Sequence, residues 1–89
     1  MNSNEGWVVL VDPSVWKVMK KFPRKNEEVV LGAIESLQKN PYAGDVRKIK
    51  GEEYTWRRRI GSYRLFYRIL PSEKHIIVFH IERRTSSTY

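Results

Sequence analysis

The stretch TWRRRIGSYRLFYR, residues 55 to 68, carries Arg57, Arg58, Arg59, Arg64 and Arg68 on either side of a Gly61-Ser62 turn. Arginine is permanently charged and presents a planar fork of donors. Such a cluster can therefore grip a polyanion or stabilise charge developing on a phosphate. Alternation along a strand sorts these side chains by face. Before the turn Tyr54, Trp56, Arg58 and Ile60 share one face, leaving Thr55, Arg57 and Arg59 on the other. After it Tyr63, Leu65, Tyr67 and Ile69 make an apolar face opposed by Arg64, Phe66 and Arg68. If the apolar faces pack inward, Arg57, Arg59, Arg64 and Arg68 project from an uncovered face beside the Phe66 ring. That combination suits a nucleic acid, because phosphates take the charge and bases stack on the ring. Arg83-Arg84 adds cations at the end of the last apolar run, and Lys48 and Lys50, flanking Ile49, extend the same groove.

Composition points to the same kind of partner. The chain has 89 residues and a net charge of +7. Residues 1–46 balance six basic with six acidic side chains, whereas residues 47–89 carry eleven basic and four acidic ones, including eight of the nine arginines. An arginine-rich half of one sign implies a polyanionic ligand. With no cysteine there is no disulfide, no thiolate nucleophile and no thiolate zinc site. The acids of the second half, Glu52, Glu53, Glu73 and Glu82, are scattered over turns and strand ends, so no metal or other cofactor is expected. The N-terminal Asn2-Ser3-Asn4-Glu5 lacks the basic region of a signal peptide, and no apolar run approaches the roughly 20 residues that span a bilayer. The expectation is a soluble, cytoplasmic protein with no membrane partner, forming one domain over residues 1–89.

The elements that must position the arginines follow from periodicity. Trp7 to Val11 reads as a short buried strand, and Asp12-Pro13 as a helix start with Asp as N-cap and Pro at the first helical position. Val15, Trp16, Met19 and Phe22 recur at helical spacing, in a helix ending near Pro23. A second helix from about Arg24 to Lys39 carries Val29, Val30, Ala33, Ile34 and Leu37 on one stripe and stops at Asn40-Pro41. Three β-patterned segments follow at about 46–60, 63–70 and 75–83, with Glu52-Glu53 in a turn. The last is apolar at nearly every position and belongs inside the sheet. The expected fold is α+β, in the order β-α-α-β-β-β, with an N-terminal helical hairpin packed on a small antiparallel-rich sheet. Within it His80 reads as a satisfied sheet histidine, Glu82 as a partner for a neighbouring arginine, and Trp7, Trp16 and Trp56 as core.

Asn40-Pro41, the run Arg47-Lys48-Ile49-Lys50-Gly51, the segment from Trp56 to Arg68 and the closing Ile81-Glu82-Arg83-Arg84 together resemble the RelE/ParE superfamily of toxins. The resemblance covers essentially the whole chain and is strongest in the GxYRxxY segment. For the RelE branch it implies a toxin that cleaves mRNA, usually on the ribosome, by attack of the 2′-hydroxyl on the adjacent phosphate, and that a cognate antitoxin neutralises. Carried over to this chain, the pattern assigns catalysis to Arg57, Arg59, Arg64, Arg83 and Tyr89, while the reading of the strands themselves assigns RNA binding to Lys48, Lys50, Phe66, Arg68 and Arg84. Arg57 and Arg59 stand where the best-known RelE member has lysines. Arginine is too strongly protonated to abstract a proton, so the general base is left open. The alternatives are a ParE-like, non-enzymatic inhibitor of DNA gyrase and a basic RNA-binding module without catalysis.

Overall fold

The computed structural model describes residues 6–84. β1 (Val8–Val11) runs into Asp12, whose carboxylate accepts the Ser14 amide at 2.9 Å and starts α1 (Pro13–Met19). Hydrogen bonding from Ser14 favours the charged carboxylate and holds the Asp12 pKa below its ordinary value. Across seven residues α1 buries only Val15 and Met19, one turn apart. Trp16 is consequently left 38% exposed on its flank instead of in the core, while Trp7 and Trp56 do pack against the core.

α2 (Arg24–Ser36) buries Val30, Ala33 and Ile34, Leu37 follows on the same stripe, and Val29 lies exposed beside them. Both helices are shorter than expected. Phe22 donates to the Met19 carbonyl, and Leu37, Gln38 and Lys39 donate to Ile34, Glu35 and Ser36. These three-residue bonds tighten each end into a turn before Pro23 and before Asn40.

β2 (Val46–Lys48), β3 (Thr55–Ile60), β4 (Tyr63–Leu70) and β5 (His75–Arg83) pair antiparallel in succession, and β1 adds to β5 in parallel. The sheet has five strands in the order β1-β5-β4-β3-β2. Residues 46–60 are therefore two strands, because a turn through Gly51 (φ +85°) and Tyr54 (φ +65°) folds β3 back onto β2. β5 lies inside the sheet, as its apolar composition requires. Val15, Met19, Val30, Ile34 and Leu37 from the helical side meet Tyr63, Leu65, Tyr67 and Ile69 of β4 and Ile76, Val78 and Ile81 of β5.

The pairing of β4 with β5 is irregular at one point. Tyr67 faces Val78, but the preceding Phe66 faces His80, so Phe79 is an extra residue in β5. Strict alternation from the buried Ile76 and Val78 would send His80 and Glu82 to the helix-covered side. The bulge reverses this: Ile81 enters the core opposite Leu65, His80 and Glu82 turn to the open face opposite Phe66 and Arg64, and Arg83 falls opposite the buried Tyr63.

Candidate nucleic-acid interface

Residues directly opposite each other in a sheet share a face, and the register builds a lattice of side chains on the uncovered side. One row runs Arg47, Arg57, Phe66, His80 across β2 to β5. The adjacent row runs Arg59, Arg64, Glu82 across β3 to β5, and a third runs Thr55, Arg68, Ile77. The expected cluster of Arg57, Arg59, Arg64, Phe66 and Arg68 is thus brought together. Arg47 joins it, a residue that the sequence left unassigned because only the β2–β3 register aligns it with Arg57.

The lattice is strongly cationic and partly aromatic. Glu82 is its acid, 3.7 Å from Arg64 Nη1, whereas Arg57 and Arg59 form no ion pair among the described residues. Phe66 lies 5.3 Å from the His80 ring and 6.4 Å from Phe79, and the Arg68 guanidinium stands 5.5 Å over Phe79. Aromatic faces half open to solvent beside unpaired guanidinium groups can stack bases while the arginines hold phosphates. His80 is a sheet histidine with a partner, its Nε2 3.2 Å from Glu82 Oε1, but it stands half exposed on the open face and not in the core.

Other assigned residues lie away from the lattice. Arg83 reaches toward the helix-covered side, its guanidinium 6.0 Å from the Tyr63 ring. Tyr63 itself is stacked on Phe22 and receives a hydrogen bond from Asn26 at 3.0 Å. Lys48 pairs with Trp56 and shares that residue's face, and Lys50 is exposed in the turn beyond β2. Arg84 follows β5, its amide bonded to the Ser62 carbonyl. Tyr89 lies outside the described residues.

Arg58, between two open-face arginines, has a structural role. Its Nη1 donates to Ser36 Oγ at 2.9 Å and to the Ala33 carbonyl at 3.4 Å, closing the last turn of α2. Gly44, at φ +91°, passes so close that a Cβ there would stand 2.9 Å from Arg58 Nε. Nearby, burial pushes the Tyr67 phenol up to about 12, with Arg58 drawing it partly back, and the hydroxyl donates to the Pro41 carbonyl at 3.2 Å. Among the described residues no three His, Cys, Asp or Glu side chains are grouped to hold a metal ion, and no helix is long and apolar enough to cross a membrane.

The family model for the ParE toxin of type II toxin–antitoxin systems, parDE, matches residues 16–87. A Methanocaldococcus jannaschii protein carrying the toxin name RelE1 is 33% identical over 79 residues, covering 85% of this chain and 88% of the relative. A chain of the archaeal RelE–RelB complex from Pyrococcus horikoshii superposes with a TM-score of 0.79 at 23% identity, over 91% of this chain and 98% of the other. The isolated E. coli RelE toxin gives 0.75 at 16% identity, over 91% and 87% of the two chains.

Proposed function

The chain belongs to the RelE/ParE superfamily as a toxin of a type II toxin–antitoxin system, and from that premise we propose that it is an endoribonuclease that inhibits translation by cutting mRNA on the ribosome. The observation that carries this reading is the open-face lattice, where Arg57, Arg59 and Arg64 converge beside the half-buried Phe66 with Glu82 as the acid among them. A base stacked on Phe66 places its 3′ phosphate among these guanidinium groups. Their donors neutralise the extra charge gathered when the 2′-hydroxyl attacks phosphorus, which is work that fixed cations do without a metal. Arg47 and Arg68 hold flanking phosphates. The catalytic roles of Arg83 and Tyr89 rest on the family resemblance, and the RNA-binding roles of Arg84, Lys48 and Lys50 on their charge and place in the sequence. The partner is a cognate antitoxin, as in the solved RelE–RelB complexes, and an acidic amphipathic segment supplies the countercharge that this surface lacks.

The test is cleavage of a message on programmed ribosomes, all-ribose or with a single 2′-deoxy substitution at the cut site. The expected products carry a 2′,3′-cyclic phosphate and a 5′-hydroxyl, the deoxy message stays intact, and cobalt hexammine in place of Mg²⁺ leaves the rate unchanged. Equal cutting of the deoxy message, or a 5′-phosphate product, would overturn the mechanism. The match to the ParE model favours a second reading, inhibition of DNA gyrase without catalysis. Induced expression separates the two: immediate translation arrest supports the ribonuclease, and SOS induction with filamentation supports the gyrase inhibitor.

A further inference from the structure

His80, Glu82 and Arg64 form a connected polar chain on the open face. His80 Nε2 is 3.2 Å from Glu82 Oε1, and Glu82 Oε2 is 3.7 Å from Arg64 Nη1. Their side chains are 53%, 42% and 29% exposed, so the imidazole is the most accessible of the three. An ionised carboxylate can only accept, which places the hydrogen of a neutral His80 on Nε2 and leaves Nδ1 with a free lone pair. The groups around the ring are Phe66 opposite it on β4, Glu82 on its own strand, Arg64 through Glu82, Arg57 beyond Phe66 on β3, and Phe79 with Arg68 above it. None of the arginines can take up a proton. His80 and Glu82 reach this face because of the bulge at Phe79, a device often found where a sheet aims side chains at an active site.

We propose that His80 is the general base of the cleavage and that Glu82 is its positioning residue; the inference rests on the endoribonuclease reading. The 2′-hydroxyl of the nucleotide stacked on Phe66 gives its proton to His80 Nδ1 as its oxygen bonds to phosphorus. The bond from phosphorus to the 5′-oxygen breaks, and that oxygen takes a proton from water. The imidazolium then returns its proton to solvent, so no oxidant or metal enters the balance. Glu82 holds the ring in the required tautomer and stabilises the imidazolium. Arg64, tied to the same carboxylate, keeps the phosphate clamp and the base in one frame.

Single-turnover cleavage by the full-length chain on programmed ribosomes tests this assignment. His80→Gln is expected to lose about 10²-fold or more in rate, the usual reach of general-base catalysis, and Glu82→Gln is expected to lose less. Added imidazole should restore cutting to His80→Ala and leave the Arg64→Ala defect unrelieved. The wild-type rate should fall on acidification along a limb that His80→Gln lacks. With sulfur replacing the 5′-oxygen, a leaving group that needs no acid, the His80→Gln defect should persist. Wild-type cutting by His80→Gln would overturn the assignment, and so would a defect that disappears with the sulfur substrate or that imidazole cannot relieve. A wild type that cuts no message would bring down the endoribonuclease reading, and the base assignment with it.

Discussion

Arg57, Arg58 and Arg59 are consecutive, yet the two faces of β3 give them opposite fates. On the covered side Arg58 is half-buried and bonded to Ser36 Oγ and the Ala33 carbonyl, with Gly44 pressed against it. On the open side Arg57 and Arg59 pair with no acid among the described residues and stand beside Phe66 and Arg64. A half-buried donor that ties a helix end to the sheet matters for stability because removing it takes away bonds that partly shielded acceptors cannot fully replace with water. An exposed cation contributes little to the fold and stays free to bind an anion. The same residue type at adjacent positions therefore divides into one that holds the helix to the sheet and two that lie on the uncovered face, where the proposed function needs them.

The contrast breaks most clearly at Arg64. Arg64→Ala is expected to lower single-turnover cleavage by about 10²–10³-fold, roughly 3–4 kcal/mol of transition-state stabilisation, while its urea midpoint barely moves because the Glu82 pair is partly exposed. Full activity in folded Arg64→Ala would remove the open face from the mechanism.

Arg58→Ala should show the reverse pattern, a loss of about 1–3 kcal/mol in stability by urea denaturation with little change in cleavage per folded molecule. Gly44→Ala is expected to cost about 1–3 kcal/mol, since φ there is +91° and the new Cβ displaces Arg58. The double variant should lose less than the sum of the two, because the contacts are shared. Strict additivity would show that Gly44 acts through its backbone alone.

The smallest expected effect concerns Tyr67 beneath the same covered face. Its phenol is pushed up to about 12 by burial, against about 10 in an unfolded chain. The folded state thus holds this proton more tightly. The corresponding stability is complete below about pH 10 and is lost as pH rises toward the folded value. Urea midpoints of the wild type should therefore fall more steeply than those of Tyr67→Phe across that window. Parallel curves would mean that the phenol ionises as freely in the fold as outside it.

Much of this architecture was legible without coordinates. The Asp12-Pro13 cap, the helical stripe from Val30 to Leu37 and the limits of β4 and β5 match the structure because each depends on neighbours a few residues away. The same holds for the separation of Arg58 from Arg57 and Arg59, since strand alternation is a local property of the backbone. The charge asymmetry, from which a polyanionic partner is expected, needs no fold at all.

Tertiary structure alone decided what depends on pairing between distant strands. The register of β2 with β3 brought Arg47 into line with Arg57 and turned Lys48 toward the Trp56 side. A single extra residue, Phe79, inverted the faces beyond it, taking Arg83 toward Tyr63 and bringing His80 and Glu82 to Arg64. The apolar run His75–Ile81 offers either face to the core and so carries no local mark of where alternation slips. The packing of Ile81 against the core, set by helices and strands far away in sequence, determined it.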